Sequence, residues 1–247
     1  MPIKLITLNI EGDKHFNRVF PFLVQQQADV VCIQEIFQDD VQLFTEKLGG
    51  NILFVPVTKM THEFIQTHSP RGVWGIAIWY SAELALISQH SFYYRGDLIS
   101  ATQSKHPGFD ASRAVQLISV RKQQEVFTIA TTHFTWTPDG AADDRQREDF
   151  AKLMKGLEDY PELVLCGDFN APRGGEIFTA FCERFTDNLP ADIESTVDPE
   201  LHRLQDTVKV VVDTIFSTPE FRVANVEVVS GISDHKAVVG TVEHSLL

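Results

Sequence analysis

Short apolar runs, each ended by a turn and many closed by a polar or ionisable side chain, recur along the whole chain. Ile3–Leu8, Val30–Gln34, Val73–Tyr80, Leu84–Tyr93, Ala114–Arg121, Val126–Thr132, Leu163–Gly167, Val208–Phe216, Arg222–Val229 and Ala237–Glu243 are rich in Val, Ile and Phe and bounded by turn residues, which predicts strands. Helical spacing is rarer. Phe16, Val19, Phe20, Leu23 and Val24 share one face, with Pro21 as a kink or a start. Val41, Phe44 and Leu48 form a second face that stops at Gly49, residues 142–158 a third, and Ile177, Phe178, Phe181 and Phe185 a fourth. Strands outnumber helices and some connections are short, which predicts antiparallel or mixed sheets with helices outside. The helices between Leu8 and Val30 and between Thr132 and Leu163 suit crossovers between parallel strands.

The 247 residues suffice for a sizeable core without staples. Lys and Arg number 21 against 34 Asp and Glu, a net charge of -13. That balance argues against a protein gripping long polyanions by charge alone, leaves open nucleic acid held by a local basic patch or a small phosphorylated substrate, and suits a protein that collects a divalent cation. Cys32, Cys166 and Cys182 form no ligand-spaced pair, and the odd count points to a reducing compartment, the cytoplasm. The start, MPIKLITLNIEGD, has no signal-peptide pattern, and no apolar run approaches the ~20 residues of a membrane span.

Asn9 closes LITLN, Glu35 closes VVCIQE, His133 closes TIATTH, and Asp168 and Asn170 close LVLCGDFN. Asp213 follows KVVV, and Asp234 and His235 precede the last run. Singly, each has an ordinary explanation: a turn Asn, a surface Glu, a cap beside a surface His. Jointly, they place ionisable groups at one rim of a rigid sheet.

The order and spacing of TLN, QE, GDFN, VDTIF and SDH resemble the endonuclease/exonuclease/phosphatase superfamily, the DNase I-like phosphoesterases that include exonuclease III-type AP endonucleases and tyrosyl-DNA phosphodiesterase 2. The resemblance spans nearly the whole chain. It implies one domain over 1–247, a four-layer α/β/β/α sandwich of two mixed, mostly antiparallel sheets flanked by helices, with an active site at one edge. It also implies a Mg²⁺- or Mn²⁺-dependent phosphodiesterase acting on a phosphorylated substrate such as a nucleic-acid end or a small diester. A phosphate-monoester phosphatase, or a binding module that has lost its chemistry, are the alternatives on the same fold.

By that resemblance Glu35 is the principal metal ligand, Asn9 assists at the metal or its water shell, and Asp234 lies near it as a second ligand or through water. Asp168 orients and deprotonates the attacking water, and Asn170 donates its amide hydrogens to the phosphate. His235 contacts the non-bridging oxygens, oriented by Asp213, and His133 faces the phosphate or the leaving oxygen. The acidic partner such a His has in DNase I-type enzymes is not evident in SPRGVWGIAIW. Arg113, at a strand start, reaches for the phosphate or lies on the surface. His202 and Arg203 occupy a substrate-contacting stretch in relatives, and Thr196 and Asp198 resemble the T-x-D of YTWD in tyrosyl-DNA phosphodiesterase 2. Trp136 lines the cleft or anchors a packed loop. His15, His62, His68, His90, His106 and His244 are expected on the surface or in loops, and 56–72 and 95–112 are long segments suited to specificity.

Overall fold

The computed structural model describes residues 1–60, 72–103, 111–204 and 207–245. Two six-stranded sheets form its middle. Sheet A contains β1 (Ile3–Asn9), β2 (Val30–Phe37), β3 (Asn51–Met60), β4 (Gly72–Tyr80), β11 (Phe221–Val229) and β12 (Ala237–His244), in the order β11-β12-β1-β2-β4-β3. Sheet B contains β5 (Ala85–Arg95), β6 (Arg113–Lys122), β7 (Glu125–His133), β8 (Val164–Asp168), β9 (Thr186–Asp187) and β10 (Asp213–Ser217), in the order β5-β6-β7-β8-β10-β9. Strands β1 and β2 are parallel across α1 (Phe16–Gln26), and β7 and β8 are parallel across α4 (Asp144–Gly156); the remaining ladders are antiparallel.

Three apolar layers hold this together. Ile3, Leu5, Val30, Cys32 and Ile78 of sheet A pack against Ile118, Phe127, Ile129, Val164, Cys166 and Ile215 of sheet B. Val19, Phe20 and Leu23 of α1 and Phe44 of α2 (Val41–Leu48) cover the outer face of sheet A. Leu153 of α4 and Phe178 and Phe181 of α5 (Glu176–Cys182) cover sheet B, around Leu165 and Phe216. The result is the expected α/β/β/α sandwich. No helix among the described residues is long and apolar enough to cross a membrane.

Several details depart from expectation. β3 was not foreseen, and a short α3 (Leu98–Gln103) occupies part of the stretch expected as a loop. Residues 61–71 and 104–110, with His62, His68 and His106, lie outside the described residues. The helix with Pro21 begins at Phe16 and contains the proline. β10 starts at Asp213 rather than Val208, because the Val210, Val211 and Val212 carbonyls accept from the N–H groups of Thr196, Arg173 and Phe169 in three loop segments. His15 is buried, its Nε2 3.0 Å from a Glu11 carboxylate oxygen.

Gly167 fits because nothing larger can. At φ 145° an added Cβ would stand 2.0 Å from the Thr132 carbonyl oxygen on β7. Gly167→Ala should therefore destabilise the fold by about 3 kcal/mol, roughly a 6–12 °C lower melting temperature for a chain of this size. Unchanged melting would show that the β7–β8 contact is looser than described.

Candidate active site

Strand register brings the polar ends together. His133, Asp168 and Asp213 lie side by side across β7, β8 and β10, since His133 pairs with Asp168 and Asp168 with Asp213. Asn9 ends β1 in sheet A, and its Nδ2 donates to Asp168 Oδ2 at 3.1 Å, joining the two sheets at that edge. Because β12 runs antiparallel to β1 with Thr7 opposite Val238, the residues just before β12, Asp234 and His235, fall beyond the end of β1. A strap at Thr196–Asp198 holds them there. Asp198 N–H donates to the Asp234 carbonyl (2.8 Å), Lys236 N–H to the Thr196 carbonyl (2.7 Å), and the Thr196 hydroxyl accepts from the Val212 and Asp213 N–H groups (3.0 Å each).

Glu35 reaches the same edge through a bulge. Gln34 pairs with Ile76 and Ile36 with Gly75, which leaves Glu35 as the extra residue at φ 64°. Such bulges re-aim a side chain out of its alternation. Beside it, Gln34 points inward, its Nε2 donating to the Thr7 hydroxyl at 3.2 Å and, across the sandwich, to that of Thr131 at 3.0 Å. Glu11 and Asn170 also hold left-handed backbone, at φ 49° and 48°, so three such residues gather at one edge.

The electrostatics centre on Asp168. Burial pushes its carboxyl up, but the His235 and His133 imidazoles, the Asn170 N–H at 2.9 Å and the Asn9 amide outweigh it, and the net shift is downward. His133 Nε2 lies 3.5 Å from Asp168 Oδ2 and 3.9 Å from Glu35 Oε1. Burial lowers His133 to about 3, so the ring is neutral, and Trp74 sits edge-on to it at 6.4 Å. His235 behaves oppositely. Burial opposes its charge, yet Asp213 and Asp168 raise it well above the usual imidazole range, with Nδ1 2.8 Å from Asp213 Oδ2 and Nε2 3.8 Å from Asp168 Oδ2. Burial raises Asp213 to about 6. Burial and then the Asp234 carboxylate raise Glu35 to about 8, and Asp234 itself is raised by burial.

Asp168, Asp213 and His235 offer three ligating atoms within 4.8 Å of one another. A His235 held as a cation, with Nδ1 engaged by Asp213, makes a poor ligand. The oxygens of Glu35, Asn9 and Asp234 suit a hard divalent ion better. Burial and the Asp234 charge raise Glu35 more than Asn9 and His235 lower it, and a bound divalent ion would favour its anion.

Arg113 is not on the surface. It is 7 % exposed, donates from Nη1 to the His133 carbonyl at 3.2 Å, and feels the charges of Asp168 and Glu35. Asn170 has one amide N–H committed to the Phe134 carbonyl at 3.0 Å, which leaves one rather than both for a ligand. His202 stands at the rim, its ring 6.5 Å from that of His235. Trp136 is 44 % exposed and is not a packed anchor. Glu11 was missed. Its carboxylate is 2.7 Å from Lys14 Nζ and its charge reaches Asp234 and His202. Its position two residues past Asn9, like that of Asn170 past Asp168, was the available signal.

No curated protein matches the chain by sequence. Solved structures do match in fold. An endonuclease/exonuclease/phosphatase from Bacteroides vulgatus aligns over 99 % of this chain and 100 % of its own, at 16 % identity and a TM-score of 0.75. ANGEL2, a 2',3'-cyclic phosphatase solved with adenosine-2',3'-vanadate, aligns over 100 % and 96 %, at 14 % identity and a TM-score of 0.72. A mannosyl-6-phosphatase from Bacteroides thetaiotaomicron VPI-5482 aligns over 99 % and 100 %, at 15 % identity and a TM-score of 0.69. Across residues 6–235 the sequence matches the model of the endonuclease/exonuclease/phosphatase family, whose members are hydrolytic phosphoesterases, generally dependent on a divalent metal. With that match spanning the candidate site residues from Asn9 to His235, the chain belongs to the endonuclease/exonuclease/phosphatase family.

Proposed function

We propose that the chain is a Mg²⁺- or Mn²⁺-dependent phosphoesterase that hydrolyses a phosphodiester, at a nucleic-acid end or in a small diester, by attack of an Asp168-activated water. The observation that supports this best is Asp168 itself: a buried carboxylate kept anionic, with Asn9 and Asn170 fixing its two oxygens and two imidazoles beside it. An anion so oriented can hold a water and take its proton. In this reading Glu35, Asp234 and Asn9 hold the metal, which when bound neutralises phosphate charge and polarises the P–O bond. His235, positioned by Asp213 as a cation, binds the non-bridging oxygens. His133, neutral, donates a hydrogen bond to the phosphate or the leaving oxygen. Asn170 contributes its remaining N–H, and Arg113 and the rim residue His202 face the substrate. Trp136 stays a surface position open to a stacking group. A monoester phosphatase is the second reading, favoured by the spare donors of Arg113, which suit a terminal phosphate dianion.

Bis-p-nitrophenyl phosphate should be hydrolysed with Mg²⁺ or Mn²⁺, and EDTA should abolish the activity. Binding is read separately by melting. Mg²⁺ at 100 times its Kd should stabilise the fold by about 2.7 kcal/mol, roughly 5–10 °C, and Glu35→Gln should remove that shift. A protein that melts identically with and without either ion lacks the site. Metal-loaded protein inert on a broad panel of diesters and monoesters points to a binding module.

A further inference from the structure

Gln146 lies on α4, outside the set of groups that face the substrate, yet it is fully buried. A buried amide is costly unless its hydrogens are used. Here Gln146 Nε2 donates to two backbone carbonyls, Thr135 at 2.7 Å and Asn170 at 3.2 Å. Thr135 lies two residues past His133 and Asn170 two past Asp168, and the β7–β8 ladder ends at the His133–Asp168 pair. Both carbonyls therefore lie beyond the sheet, where no ladder partner reaches them. The side chain of one helix residue takes over from the sheet and fixes the separation of the two loops.

The Gln146 Oε1 is buried without a hydrogen-bond partner among the described residues, so the two carbonyls orient the amide, and neighbours fix the backbone around it. The Asp143 carboxylate caps the Gln146 N–H at 2.9 Å. One turn along α4, Asp149 accepts from the Thr135 hydroxyl and from Arg95 Nε at 2.6 Å, so Thr135 is gripped by both its carbonyl and its hydroxyl. Asn170 is the residue that needs such a grip. It holds a left-handed backbone at φ 48°, its N–H fixes Asp168 Oδ1 at 2.9 Å, and its side chain fixes the Phe134 carbonyl at 3.0 Å.

We propose that Gln146 is a positioning residue: its amide clamps the loops after His133 and Asp168 so that the Asp168 carboxylate and the Asn170 amide meet the substrate at a fixed angle. The catalytic part of this rests on the phosphoesterase reading; the clamp itself does not.

Gln146→Met keeps the length and removes both donors. Leu153→Ala is the control, because it weakens packing of the same helix on the apolar cluster that holds Phe134 and Phe169 while removing none of the Gln146 hydrogen bonds. Below the melting temperature of both variants, Gln146→Met should lower kcat on bis-p-nitrophenyl phosphate on the order of 10- to 100-fold, as expected for small misplacement of reacting groups, with KM within about threefold. Leu153→Ala should keep kcat. Independently of activity, amide hydrogen exchange at Phe134 and Asn170 should speed at least ~10-fold in Gln146→Met and not in Leu153→Ala. Unchanged exchange at both amides overturns the clamp whether or not the protein hydrolyses anything. Equal loss of kcat in the two variants overturns the positioning role. Wild type inert beside altered exchange in Gln146→Met removes the hydrolase reading and leaves the clamp standing.

Discussion

Replacing Asp168 by alanine will lower kcat for a model diester by ~10²–10⁴-fold, the usual span for removing a positioned acid or base, in a protein that stays folded and keeps its Mg²⁺-induced melting shift. The reason lies in what surrounds the carboxylate. It is 1 % exposed, and its charge raises the pKa of the neighbouring Glu35 and Asp213 carboxylates, a repulsion that its removal relieves. Asn9 Nδ2 and the Asn170 N–H lose their acceptor, which offsets part of that gain. Activity and stability should therefore separate. Glu35 approaches from the bulge of the other sheet, so metal binding should survive a change on β8. Circular dichroism, a melt with and without Mg²⁺, and initial rates check the three parts. Full rate in Asp168→Ala means that another group orients the water, and His133, 3.5 Å from Asp168 Oδ2, is then the next candidate.

What the sequence disclosed of this arrangement was chemical identity and, through strand ends, approximate place. The apolar runs that end at Asn9, His133 and Asp168 are buried over most of their length, so their composition alone marks them as strands. β3 escaped because Pro56, Thr58 and Lys59 interrupt its pattern. The sheet tolerates them because β3 lies at its edge and shifts register between Pro56 and Thr58. Val210–Val212 misled in the opposite direction, as a valine run spent on loop hydrogen bonds. The bulge that turns Glu35 inward is a register event between β2 and β4, and register is not written in either strand alone. Gln146 left a trace that can be read afterwards. It falls on the same α4 stripe as Phe150, Leu153 and Leu157, and a polar residue on an apolar stripe must find partners among buried groups. Arg113 could be read two ways, as a phosphate contact or as a surface residue at the start of an apolar run, and only the flanking of β6 by β5 and β7 buries it.

Arg113 also carries the sharpest separation of substrate binding from folding. Its guanidinium has five N–H donors, and one of them, on Nη1, meets the His133 carbonyl. Among the described residues no carboxylate oxygen lies within 4.0 Å of it, although Asp168 and Glu35 act on it from further away. An unpaired buried cation carries a desolvation penalty of several kcal/mol, and burial accordingly lowers its pKa. A structural arginine would be expected to recover that penalty in an ion pair, as Arg95 does with Asp149 at 2.6 Å. Arg113 can recover it from an anion entering the cleft. Arg113→Met should therefore lower kcat/KM by roughly 30- to 5000-fold, corresponding to the roughly 2–5 kcal/mol lost when one partner of a buried charged contact is removed. Its melting temperature in Mg²⁺ should equal or exceed that of wild type, because a buried charge leaves with the side chain. Arg113→Lys should recover only a small part of the rate, since one ammonium cannot reproduce the planar fork. A melting temperature that falls sharply with kcat/KM unchanged would reverse the assignment, making the His133 carbonyl the only partner Arg113 serves.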